Sequence, residues 1–305
     1  MQIKYWSGNF RIFGKISNAM KLKTFSLLFI ALAAVSFKGD KKAYQLFDAK
    51  GKESNYEKLL NEAKQADIVL FGELHDNPVN HWLQMELTKD LYDIKKKDLV
   101  LGAEMFEADD QVAINEYLQG KISEKTLKDE VKLWPNFKTD YKPLLDFAKN
   151  NQLNFVAANI PRRYANLVYN KGIEKLDSLD AEAKNWIAPL PMKYDANLKC
   201  YKDIFESAGG HGGENLPKSQ AIKDATMAHF ILKNYSNGKL FIHYNGSYHS
   251  NNHQGIEWYL KQANPNLKVF TIAATEQAGL DTLAKDLIDV ANYIIVTPEG
   301  FTKTH

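Results

Sequence analysis

At 305 residues, with 45% hydrophobic and 25% charged side chains, the chain is long enough for one large core and too apolar to stay disordered. Its formal charge of +2 is no nucleic-acid signature: residues 1–37 carry five basic side chains and no acidic one, and the rest sets 34 basic against 37 acidic residues. The single cysteine, Cys200, excludes an intrachain disulfide and a thiolate metal cluster.

In chain order, residues 1–19 read as an upstream extension from a mis-assigned start. Residues 20–37 read as a signal peptide, because Met20-Lys21-Leu22-Lys23 introduces the apolar run FSLLFIALAAVSF. That run has 13 residues, short of the ~20 needed to span a bilayer, so a permanent transmembrane anchor is not expected. Export to the periplasm or beyond follows, without lipid attachment, since no cysteine stands near the cleavage region.

Residues 38–305 read as a single domain. Six apolar, β-branched or aromatic runs predict strands at 67–71, 99–104, 154–159, 239–245, 268–274 and 292–297, and their near-continuous apolar character predicts burial on both faces. Helical spacing is expected at 78–94, 107–118, 141–151, 217–235, 254–263 and 279–290. The first of these has Asn77 as its cap and Pro78 at its first position. Alternation of the two predicts an α/β fold, a largely parallel sheet flanked by helices. Proline and glycine break the rhythm at about 172–216, which predicts an inserted, mostly helical subdomain with a glycine loop.

Polar residues follow four of the apolar runs: Gly72-Glu73-Leu74-His75, Glu104, Asn159 with Pro161-Arg162-Arg163, and Asn245-Gly246-Ser247-Tyr248-His249. In a parallel sheet these ends share one edge, where α/β proteins bind ligands. The doubled Gly-x-x-His pattern is expected to turn the chain off each strand and aim a histidine back over it. His75, His249, Glu73 and Glu104, with Asp76 as a further carboxylate, form a donor set for zinc, manganese or iron, or equally a metal-free acid and base pair. Arg162 and Arg163 open a helix after Pro161, a position suited to an anion. His81, His229, His243 and His253, taken singly, read as structural. Neither HExxH, GxSxG, a Walker loop nor GxGxxG occurs, which removes the sequence support for zincins, serine hydrolases, NTPases and dinucleotide enzymes.

Together FGELHDNPVNHWLQ, GAEMF, NIPRR, GGHGG followed by AIKDATMAHFI, and NGSYHS resemble the ChaN-like haem-binding uptake proteins of the superfamily that includes Tiki, TraB and erythromycin esterase. The resemblance covers about residues 55–298. It implies an exported protein of haem and iron acquisition, with haem held by a tyrosine at a homodimer interface. It places the superfamily's site on Glu73, His75, Glu104, Arg162 and His249. Tyr164, Tyr194 and Tyr201 then become candidate iron ligands, with His211 as a partner and Arg162 or Arg163 pairing a propionate. The esterase relatives imply an alternative, a metal-dependent hydrolase working from the strand-end His/Glu set, so whether the chain is an enzyme stays open at this point.

Overall fold

Six runs of residues buried on both faces become six parallel strands in the computed structural model, which describes residues 41–209 and 211–305. The signal-peptide and extension readings fall outside the described residues. Within Ala43–His305, which form one unit, the chain opens with β1 (Gln45–Asp48), β2 (Glu53–Ser54) and α1 (Tyr56–Ala63). Then come β3 (Ile68–Glu73), α2 (Pro78–Lys95), β4 (Leu99–Glu107), α3 (Gln111–Leu118), α4 (Glu124–Glu130), α5 (Lys142–Asn150) and β5 (Phe155–Asn159). After β5 lie α6 (Arg162–Lys171), α7 (Ala181–Lys184), α8 (Lys199–Ser207) and α9 (Asn215–Asn234). The chain closes with β6 (Leu240–Gly246), α10 (Ile256–Ala263), β7 (Val269–Gln277) and β8 (Tyr293–Pro298).

The eight strands run in the order β2-β1-β8-β7-β3-β6-β4-β5. All neighbours from β8 to β5 are parallel, whereas β1 pairs antiparallel with both β8 and β2. That antiparallel edge was not visible in the sequence, because β1 has four residues and β2 two, too few for a periodicity to declare itself.

Side chains alternate across the central strands, as the pleat requires. Val69, Phe71, Leu101, Ile242 and Tyr244 face Leu83, Leu87 and Leu91 of α2 and Leu144 and Leu145 of α5. Ile68, Leu70, Val100, Val156 and Phe241 face Met227 and Ile231 of α9 and Ile256 and Leu260 of α10. Leu87 and Leu91 are fully buried, each contributing about 2 kcal/mol of transfer free energy.

Asn77 caps α2 as expected, its side chain accepting the N–H groups of Val79 and Asn80 at 3.0 and 3.3 Å. The helix expected at 279–290 does not form; only a short 3-10 turn, Lys285–Leu287, is present. Its apolar residues Leu280, Leu283 and Leu287 instead pack over Phe47, Ile294 and Val296 at the antiparallel edge, so tertiary burial overrides the helical spacing. The segment between α6 and α9 carries α7 and α8 and packs on α9, with Ile187 and Ala188 against Ile222 and Ala225.

Candidate functional site

The parallel ladder sets Glu73 beside Gly246, so the ends of β3 and β6 meet at one edge with β4 next to β6. Over this edge lies a cavity of about 870 Å³, walled by strand-end residues, by Trp134, and by helices α6, α8 and α9. That volume falls in the range of small-molecule and cofactor sites. His75, Glu104, Arg162 and His249 all line it.

Glu73 does not line the cavity. It belongs to the face of the sheet covered by α2 and α5, where it is 1% exposed and accepts the Tyr141 hydroxyl at 2.8 Å and the Gln84 side-chain amide. It also takes His75 Nδ1 at 2.9 Å, which leaves Nε2 of that ring as the atom presented to the cavity. The Trp134 ring packs against the imidazole with centroids 4.8 Å apart. Burial pulls the His75 pKa down, but the hydrogen bond its Nδ1–H donates to Glu73 and the fields of Glu104 and Glu73 outweigh it, and the ring titrates above its ordinary value.

Glu104 belongs to the opposite face, turned toward α9. Its Oε2 accepts the Gly246 N–H at 2.8 Å, and its Oε1 lies 3.3 Å from His249 Nε2. The other nitrogen of that ring, Nδ1, meets Asp224 Oδ1 at 2.5 Å. A neutral imidazole has only one N–H, so carboxylates on both nitrogens select the imidazolium. Burial alone would lower the His249 pKa; the two carboxylates overcome it and hold the ring at about 10. For Glu104, burial works upward and loses to His249, His75 and the Gly246 N–H, leaving the carboxyl well below its usual range. For Asp224 burial wins, so this carboxyl sits above its usual range and is the first of the two to take a proton as pH falls.

Asp224 was not foreseen. It is 2% exposed and also accepts the Tyr201 hydroxyl at 2.9 Å. The signal was present in the sequence: Asp224 stands at helical spacing with Ala221, Ala225 and Ala228, a carboxylate in an otherwise apolar stripe, and a buried charge needs a partner.

The two motif glycines act by close approach and not by an unusual backbone angle. Gly246 has φ −57, and a Cβ there would stand 2.8 Å from His75 Nε2. A Cβ on Gly72 would stand 2.7 Å from the Ile272 carbonyl oxygen and 3.0 Å from Ser247 Cα.

The four-residue metal set does not assemble. Among the described residues no group of three or more His, Cys, Asp or Glu side chains could hold a metal ion. The reason is that Glu73 and Glu104 project from opposite faces of the sheet and both nitrogens of His249 are taken by carboxylates. Asp76 pairs with Lys303 at 3.3 Å and does not line the cavity.

The predicted anion position at the start of α6 is filled from within, since the Arg162 N–H donates to Glu107 Oε2 at 2.9 Å. Arg162 keeps its guanidinium half exposed at the cavity, whereas Arg163 pairs with Asp109 at 2.6 Å, stacks on Tyr164 and Trp186, and stands outside the lining. Of the expected haem ligands only Tyr201 reaches the cavity, and its hydroxyl is spent on Asp224. Tyr194 packs on the Tyr201 ring, Tyr164 lies under Arg163, and His211 is exposed in the glycine turn; none of the three lines the cavity. Two tyrosines the sequence reading passed over do line it: Tyr248, 73% exposed, and Tyr169, 39% exposed.

A structure titled as cofacial haem binding to ChaN of Campylobacter jejuni superposes with a TM-score of 0.64 at 17% identity, over 84% of this chain and 98% of that one. Protein RETICULATA-RELATED 5, chloroplastic, of Arabidopsis thaliana is 30% identical over 204 residues, 62% of this chain; the chain spans about a quarter of that relative's length. A mutant of the erythromycin esterase EreC in its open conformation aligns with 84% of this chain and 83% of its own at 11% identity and a TM-score of 0.44, too distant to bear on function. The family model for haem-binding uptake proteins of the Tiki superfamily, ChaN, matches residues 59–260, about two thirds of the sequence, and the chain belongs to that family.

Proposed function

We propose that this chain is an exported haem-binding protein of iron acquisition that takes haem into the strand-end cavity. The observation that carries the reading is the accessible phenol of Tyr248 at a cavity of about 870 Å³ in a chain of the haem-binding ChaN family. The residues present suit the group. Trp134, Met105, Ile160 and Leu216 supply apolar wall, and Arg162 and Lys223 supply cations for propionates. A phenolate is a chemically sound ligand for ferric haem, provided the phenol can shed its proton. Tyr201 meets that condition poorly, because burial and Asp224 push its ionisation well above the ordinary value, so the ligand role passes to Tyr248. A homodimer with haem held by a tyrosine at its interface, as the resemblance implies, would use the exposed Tyr248 of each copy at the shared surface. Among the described residues no helix is long and apolar enough to cross a membrane.

Hemin titration followed by absorbance tests the reading: a saturable Soret band at roughly one haem per chain is expected, and Tyr248→Phe abolishes or shifts it. Absence of saturation, or a Tyr248→Phe spectrum identical to the parent, would sink it.

One observation favours a second reading, a metal-free hydrolase. His75 holds Nδ1 on Glu73 and offers Nε2 to the cavity, while the His249 cation stands beside it at the cavity wall, an arrangement suited to a general base next to a fixed positive charge. Turnover of an ester or peptide that vanishes in His75→Ala and survives chelation of divalent metals is the expected result; no turnover over a broad ester panel removes the reading.

A further inference from the structure

The ring of His75 is fixed by Glu73 and Trp134, and its backbone carbonyl is fixed independently. That carbonyl accepts the Asn136 side-chain amide at 2.8 Å and His81 Nε2 at 3.0 Å. Both donors are held by Asp140, which accepts Asn136 Nδ2 at 2.6 Å and lies 3.4 Å from His81 Nε2. All three residues are nearly sealed, Asn136 at 3%, Asp140 at 4% and His81 at 7% exposure. The remaining side-chain donor on Asp140 comes from far along the chain: Thr304 Oγ1, at 2.7 Å.

The same residue ties down the loop from its other side. The Thr304 N–H donates to the Asp76 carbonyl at 3.0 Å, and Lys303 reaches Asp76 at 3.3 Å and Glu276 at 2.5 Å. Neither Lys303 nor Thr304 lines the cavity, so neither can touch a bound molecule there. Loop residues 74–77 have no ladder of their own beyond the strand end; the Asn77 N–H closes the turn on the Leu74 carbonyl at 3.0 Å, and the bonds from Asn136, His81 and Thr304 hold it to the rest of the molecule.

We propose that Thr304 is a positioning residue for His75, acting through Asp140, Asn136 and His81 to set the angle at which the imidazole enters the cavity. The inference rests on the reading of the cavity as the working site, and it holds for either ligand or reaction considered above. The ring itself faces Glu73, Glu104 and His249, none of which Thr304 contacts, so an effect of Thr304 on the ring passes through the loop.

The test uses the full chain without ligand and reads the Nδ1 proton of His75 by NMR, assigned by its absence in His75→Gln. Thr304→Val is expected to shift that signal and to speed its exchange with solvent roughly tenfold, since the Glu73 bond opens more often when the loop is loosened. Thr304→Ser keeps the hydroxyl and restores the parent signal; Thr302→Val, on the same segment but exposed, leaves it unchanged. An unchanged His75 proton in Thr304→Val overturns the proposal, as does an equal change in Thr302→Val. So does loss of the whole fold in Thr304→Val, which would make the residue structural. Hemin titration of the same variants is read separately, so failure of the haem reading leaves this result standing.

Discussion

The two Gly-x-x-His elements share a pattern and a sheet edge, yet they are answered by opposite faces of that sheet. Gly72–His75 is served from the α2 and α5 side, where one carboxylate, Glu73, takes one ring nitrogen and leaves the other for the cavity. Gly246–His249 is served from the α9 side, where Glu104 and Asp224 take both nitrogens. One histidine is therefore an available base or ligand and the other a fixed cation. The lesson is that a repeated motif need not mean repeated chemistry: the count of buried carboxylates within reach decides the protonation state.

The comparison breaks most visibly at Asp224. Asp224→Ala leaves His249 with a single partner and removes the carboxylate that accepts the Tyr201 hydroxyl, and we expect a loss of about 3 kcal/mol by urea unfolding at neutral pH. A loss under about 1 kcal/mol would mean that His249 is not held as a cation.

Next in size are the glycines, which set the two elements against each other. Gly72→Ala drives a Cβ against the backbone of β7, which cannot yield, and is expected to cost about 2 kcal/mol. Gly246→Ala meets the edge of the His75 ring, which can swing, so it should cost about 1 kcal/mol while displacing the imidazole from the cavity. Equal stability losses with an unmoved His75 ring would refute that distinction.

The pH profile sharpens the comparison further. The folded pKa of His249, about 10, lies above the ordinary 6.5, so its stabilising contribution is complete below about 6.5 and is lost as pH rises through about 10. Glu104, lowered from 4.5, contributes above that value and loses its contribution as pH falls below it. Unfolding curves from pH 6 to 10 should show the alkaline decline in the parent and a smaller one in Asp224→Asn. A flat parent profile would contradict the double ion pair.

The smallest expected effect separates the adjacent arginines. Arg162→Ala should weaken hemin binding several-fold, whereas Arg163→Ala, engaged with Asp109 and two rings, should leave it within about twofold. Equal losses from the two would place both guanidinium groups at the ligand.

Much of the architecture was legible because it follows from local rules. Runs such as Ile68–Phe71 and Leu240–Ile242 are apolar throughout, which only a strand covered on both faces tolerates, and Asn77-Pro78 marks a helix start by its own chemistry. The convergence of His75, Glu104, Arg162 and His249 followed from parallel strands sharing one edge. The expected helix at 279–290 failed because its leucines are drawn to Ile294 on the predicted last strand and to Phe47 on β1, a strand too short to announce itself.

By itself, then, the sequence determined the six parallel strands, most of the helices between them and which strand ends carry polar groups, since these depend on periodicity and on the residue types that stop a strand. Only the tertiary structure decided which face each carboxylate serves, that Asp224 from a distant helix completes the His249 pair, and that Tyr248 and not Tyr201 offers a free phenol. Those outcomes depend on contacts between residues 23 to more than 100 positions apart, set by how the helices pack on the sheet, and no local pattern records them.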